Sequence, residues 1–142
     1  MNRKFLLLLT VICLSLLVGC AADKMAANST ISKFWNGWRD LEKDTILDTL
    51  ADQVEHNYYV IPTTAGAGAI ADMFTNKSFY WEGCTDRNFA ITKTTEYRET
   101  KLIIVETQVS WLEDSNPVEE EIKFTLKKID SKWRITKITY IY

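Results

Sequence analysis

Near residue 77 the hydrophobic period of this chain switches from that of helices to that of strands. Ahead of the switch, Ile31, Phe34, Trp35, Trp38 and Leu41 recur on one helical face, with Ser29 or Thr30 placed to cap it. Asp44 can cap a second short helix carrying Ile46, Leu47, Leu50 and Ala51 on one side. Residues 54–61 are rich in β-branched and aromatic side chains and stop at Pro62, which predicts a first strand. Residues 63–76 favour a third helix, packed through Ala67, Ala69, Ile70, Ala71, Met73 and Phe74. Beyond it, residues 78–82, 89–97, 101–112, 119–129 and 132–142 all predict strands, separated by turns at Glu99-Thr100, Asp114-Ser115-Asn116-Pro117 and Asp130-Ser131. Helices first and a meander afterwards predict an α+β domain, its helices covering one face of a strongly curved antiparallel sheet.

A different pattern precedes this domain. Arg3 and Lys4 make a short basic start, and residues 5–18 form 14 uncharged positions, shorter than the roughly 20 apolar residues of a membrane-spanning helix. Leu17-Val18-Gly19-Cys20 closes that run with a small residue and a cysteine, as a bacterial lipoprotein signal does. The expectation is a cleaved signal peptide at residues 1–19 and a lipidated N-terminus at Cys20. Residues 21–29, small, polar and aperiodic, read as a tether to a domain at residues 30–142. This places the domain on the periplasmic side of the cell envelope, with the bilayer as its partner through acylated Cys20. Ala21 in place of Asp favours outer-membrane sorting in a Gram-negative cell.

Without residues 1–19 the chain has 123 residues, enough for one domain with a core. The loss of Arg3 and Lys4 leaves 15 basic against 19 acidic side chains. That balance argues against nucleic acid as a partner, and by the same reasoning against anionic headgroups. Cys13 leaves with the signal and Cys20 carries lipid, so Cys84 is the remaining thiol and no internal disulfide forms. Cys84 reads as a small buried hydrophobe, with a reactive thiol or an intermolecular disulfide partner as the alternatives.

One histidine and one free cysteine supply no spaced metal-ligand set. Asp40, Asp44, Asp48 and Asp52, four apart, read as a solvated helical face. No cofactor is implied. Gly66-Ala67-Gly68-Ala69-Ile70-Ala71 formally matches a dinucleotide loop, but no alternating strand and helix units follow. Small residues that let the third helix approach the sheet account for it better.

The run from Trp38 to Tyr59, with its Asp44-Thr45-Ile46-Leu47 restart and Leu50-Ala51-Asp52 ending, resembles the opening of a nuclear transport factor 2-like or SnoaL-like domain. The glycine-bearing third helix and the closing Lys132-Trp133-Arg134-Ile135-Thr136 are similar to the rest of that superfamily, over about 112 residues. The resemblance implies a cone-shaped open barrel whose helices and bent sheet enclose a pocket. The superfamily includes isomerases, dehydratases, ligand carriers and structural adaptors, so the fold alone does not assign a function. Steroid isomerase-like members place a carboxylate base after the first strand and a tyrosine on the first helix. Here those positions fall at Asn57 or Tyr58 and at Phe34 or Trp35, which cannot perform that chemistry.

Other side chains offer weaker sites. His56 alternates with Tyr58 and Val60, and would be a proton donor or acceptor if that face lines the cone. Glu106 and Gln108 lie mid-strand on one face with Leu102, Ile104 and Ser110. That face either points into a polar cavity or opens to solvent or a dimer partner. His56 and Glu106 are therefore the catalytic candidates, and Tyr58, Trp81, Glu106 and Gln108 the ligand-binding ones. Tyr59, Tyr80 and Trp111 could also stack on a ligand, although a packed aromatic core explains most of these rings. Lys123, Lys127, Lys128, Lys132, Arg134 and Lys137 form a basic excess near Glu113, Asp114, Glu119, Glu120 and Glu121. It could dock an acidic partner, but edge protection and cross-strand ion pairing explain it better.

Together these features favour a lipid-anchored, non-catalytic domain that binds a small apolar or amphipathic ligand or a protein partner. The alternatives are a SnoaL-like acid-base isomerase, dehydratase or hydrolase, and a homodimeric assembly module.

Overall fold

The computed structural model describes residues 3–57, 61–76 and 84–141, with residues 3–20 described by backbone alone. The strand expected at residues 78–82 lies outside them, as do Tyr58, Tyr59, Tyr80 and Trp81.

Helix α1 spans Arg3–Asp40 and presents Ala27, Ile31, Phe34, Trp35 and Trp38, all fully buried, along one stripe. Residues 21–29 are therefore helical and not a tether. Four alanines among residues 21–27 give that stretch high helical propensity, and three of its side chains reach the sheet side of the molecule. Asp23 accepts from Trp133 Nε1 at 3.1 Å, Ala27 is buried, and Asn28 Oδ1 accepts from Thr94 Oγ1 at 2.7 Å. Thr30 is not a cap either, because its hydroxyl donates to the carbonyls of Ala26 and Trp133. The helix ends where Leu41 takes a left-handed conformation, φ 58°, and Glu42 N–H bonds back to Gly37 at 2.8 Å.

Helix α2, Lys43–Leu47, is shorter than the apolar spacing predicted. Thr49 stops it: its hydroxyl bonds to the Ile46 carbonyl, and its own carbonyl accepts from Ile135 N–H at 2.9 Å. Leu50 and Ala51 thereby pass into strand β1, Leu50–His56. Thr63 and Thr64, expected in the third helix, instead begin strand β2, Thr63–Gly66, which pairs antiparallel with β1. Helix α3, Ala67–Thr75, packs through Ile70, Ala71 and Phe74. Its opening glycines are not there for close approach. A Cβ on Gly66 would make only ordinary contacts, and one on Gly68 would meet nothing within 4 Å.

Strands β3 (Cys84–Tyr97), β4 (Leu102–Glu113), β5 (Asn116–Ile129) and β6 (Lys132–Ile141) form the expected meander. Asp114-Ser115 and Asp130-Ser131 each turn with two successive positive φ values, the geometry that suits tight hairpins. Among the described residues the sheet has six strands in the order β2-β1-β6-β5-β4-β3. It is mixed, not wholly antiparallel, because β1 runs parallel to β6. Register shifts in β1, in β3 and between β5 and β6 bend it around the helices and leave it open. Pro117 is accommodated in β5 because β6 pairs only from Glu121 onward, so the missing N–H falls where β5 has no β6 neighbour. Strands β5 and β6 are interior, so their lysines do not protect an edge. Lys137 pairs instead with Glu55 of β1 at 2.7 Å and Lys123 with Glu106 of β4 at 3.7 Å.

Candidate functional site

The concave face of the sheet is filled by rings from α1, α3 and the strands. Phe34 stands edge-on to Phe74, Trp35 and Phe124, with centroids 4.8, 5.2 and 5.2 Å away. Trp38 meets Trp111 at 6.2 Å, and Trp35 stacks near Phe89. Such edge-to-face contacts favour a packed core over a cavity. Arg87 closes one end, its guanidinium 5.4 Å from the Trp38 ring and donating to the Trp38 carbonyl at 3.2 Å. Burial lowers the Arg87 pKa.

One register row carries His56, Ile138, Phe124, Val105 and Thr94 across five strands. His56 is thus on the concave side, where its Nε2 lies 3.0 Å from Thr63 Oγ1. Its Nδ1 is buried and finds no hydrogen-bond partner among the described residues. Burial pushes its pKa down, toward the neutral ring. The neighbouring Asn57 is occupied by the backbone of Tyr140, accepting its N–H at 2.7 Å and donating to its carbonyl at 3.3 Å.

Glu106 and Gln108 lie on the opposite, convex face. Ile103, Val105, Thr107, Val109 and Trp111 are buried against the helices, so the alternate residues of β4 point outward. Glu106 faces Lys93 at 3.9 Å and Lys123 at 3.7 Å, and Gln108 Nε2 donates to Glu119 at 3.2 Å. His56 and Glu106 therefore do not converge. Cys84 is buried, which raises its thiol pKa, with Glu113 adding to the effect. Gln108 lines a shallow pocket on the convex face with Thr92, Glu119, Glu120 and Glu121.

A groove of about 900 Å³ lies elsewhere, between the α2–β1 segment and the β5–β6 hairpin. Leu47, Leu50, Ala51, Ala67 and Ile129 give it an apolar lining, while Asp44, Asp52, Asp130 and Lys127 charge its rim. Asp48, also in the lining, is held by Lys33 and by Arg134, whose guanidinium is 3.5 Å from the carboxylate and also donates to the Asp48 carbonyl. The Lys33 bond, with the charges of Lys33 and Arg134, draws the Asp48 pKa down.

Solved structures of similar shape are numerous in kind but distant in sequence. A nuclear transport factor 2-like protein of unknown function from Shewanella baltica aligns with TM-score 0.66 at 14% identity, over 85% of this chain and 94% of its own. A domain of unknown function with a cystatin-like fold from Nostoc punctiforme gives TM-score 0.67 at 12% identity, over 84% and 76%. A hypothetical protein with a ketosteroid isomerase-like fold from Catenulispora acidiphila, solved with trimethylamine, gives 0.59 at 13%, over 80% and 84%. The fold is the nuclear transport factor 2-like cone. No family model and no curated protein matches the sequence.

Phe34 and Trp35 on α1 are both fully buried. The groove escaped the sequence reading because Asp44, Asp48 and Asp52 share a four-residue spacing that mimics one helical face. In the structure they belong to α2, to its C-terminal cap and to β1. The signal that could have exposed this was Thr49, a β-branched residue with a side chain able to bond the preceding turn.

Proposed function

We propose that the protein is a lipoprotein of the cell envelope, acylated at Cys20 and facing the periplasm, whose nuclear transport factor 2-like domain binds without catalysing a reaction. The observation that carries this reading is the aromatic packing of Phe34, Trp35, Phe74 and Phe124 across the concave face, the surface on which an acid-base enzyme of this fold would hold its substrate. Recognition is assigned instead to the groove around Asp48. Its apolar lining and charged rim suit an amphipathic small molecule or a short peptide segment. The Leu17-Val18-Gly19-Cys20 ending of the apolar run supports the anchor.

The test is native mass spectrometry of the protein purified from host membranes, compared with an Ala67→Trp variant that fills the groove. Extra mass held by the wild type and released on denaturation, but absent from the variant, is the expected result. The same mass in both would overturn the groove assignment. Turnover of a retained carbonyl compound, abolished by His56→Gln, would overturn the non-catalytic reading.

A further inference from the structure

We propose that one end of the domain, carrying the 98–101 and 130–131 turns, rests directly on the anionic phospholipid headgroups of the membrane that holds it. This rests on acylation of Cys20. The first link is how little chain lies between the anchor and the sheet. Asp23 is already fixed to the sheet, accepting from Trp133 Nε1 at 3.1 Å and Lys128 Nζ at 3.0 Å. Only Ala21 and Ala22 separate it from Cys20, a reach of about 10 Å even if fully extended. A nine-residue tether would have let the domain swing; two residues, both within α1, hold the Asp23 end against the bilayer.

The second link is what else lies at that end. Tyr97, Leu102, Lys127 and Arg134 are register partners in one row, and both turns project beyond it. Lys128 and Trp133, the partners of Asp23, belong to the next row. The sheet therefore points its two turns the same way as the start of the anchored domain.

The third link is chemistry. At this end Asp23 is bonded to Lys128 and Glu96 faces Arg98 at 4.0 Å. Glu99, Asp130 and the groove acids Asp44 and Asp52 stand against Lys24, Lys101, Lys127 and Lys132, which have no ion pair among the described residues, and Lys33 and Arg134 share the one carboxylate of Asp48, so basic charge is in excess. Met25, Tyr97 and Ile129 are also exposed here, at 72%, 48% and 39%. Exposed apolar side chains between lysines suit the boundary of headgroups and acyl chains. Strand β5 runs from this basic end to the opposite one, where Glu113, Asp114, Glu119 and Glu120 gather beside the 114–115 turn. A cluster of acids thus lies at the far end of the sheet, where screening weakens its effect on a bilayer at the other end.

The experiment uses the protein purified from host membranes and reconstituted into vesicles of phosphatidylcholine alone or of equal parts phosphatidylcholine and phosphatidylglycerol. Intact mass first reports the acyl group on Cys20, and hydrogen exchange then follows residues 98–101 and 130–132. On the mixed vesicles these turn amides are expected to exchange on the order of tenfold more slowly than on the neutral ones. The 114–115 turn should exchange alike on both, and Lys101→Glu with Lys132→Glu should abolish the difference. Acylated protein with equal exchange on the two vesicles overturns the orientation and leaves the anchor standing. Absence of the acyl mass overturns the anchor, and the orientation with it.

Discussion

The Asn57 side chain pairs with the backbone of Tyr140 in both directions, accepting its N–H at 2.7 Å and donating to its carbonyl at 3.3 Å. A side-chain amide thus extends the contact between β1 and β6 one residue past the last backbone pair, His56 with Ile138. Asn57→Ala leaves both Tyr140 groups to find other partners and is expected to cost about 1–3 kcal/mol. Asn57→Asp should recover little, since a carboxylate cannot donate to the carbonyl. Urea unfolding of the three proteins checks this; identical midpoints would show that the pair contributes nothing.

Gly37 lets α1 pass α2 closely. A Cβ there would lie 2.8 Å from Ile46 Cγ1 and 3.1 Å from Thr45 Cγ2. Gly37→Ala should therefore destabilise by about 1–3 kcal/mol, despite the better helical propensity of alanine. Trimming the obstacle provides the control. Ile46→Ala should cost measurably less in the Gly37→Ala background than in the wild type, and additive losses in a double-mutant cycle would refute the steric account.

His56 makes stability depend on pH. Burial depresses its folded pKa below the ordinary 6.5, so the unfolded chain takes up its proton first as pH falls. The stabilisation from the neutral ring is complete above that ordinary value and declines as pH drops toward the depressed one. The stability advantage of wild type over His56→Gln should be larger at about pH 7.5 than at about pH 5.5. As the only histidine, its ring resonances report directly. A titration midpoint at or above 6.5 would contradict the burial of Nδ1.

Phe34 joins α1 to α3 and the sheet through three rings within 5.2 Å. Phe34→Ala is expected to lose about 3–5 kcal/mol and to open an apolar cavity in the concave face. If packing is what closes that face, the variant should gain stability from a small aromatic such as indole and the wild type should not. Equal thermal shifts in both would mean that the wild type already has room there.

The helical stripe Ile31-Phe34-Trp35-Trp38 and the alternation of Ile103-Val105-Thr107-Val109-Trp111 were readable because each is a local period imposed by one buried face. Those two stripes, with the hairpin turns at Asp114-Ser115 and Asp130-Ser131, were enough to indicate helices over a curved sheet. Positions whose partners are remote in the chain were not readable. Thr49 ends α2 by receiving Ile135 from 86 residues away. Residues 21–29 are not a tether because Trp133, Lys128 and Thr94 hold them. Glu106 alternates correctly in sequence, yet only the docking of α1 decided that its face is the convex one. Local spacing sets which side chains share a face. Which face is covered, where a parallel strand is added and how charge divides between two ends depend on contacts that form only when the chain closes on itself.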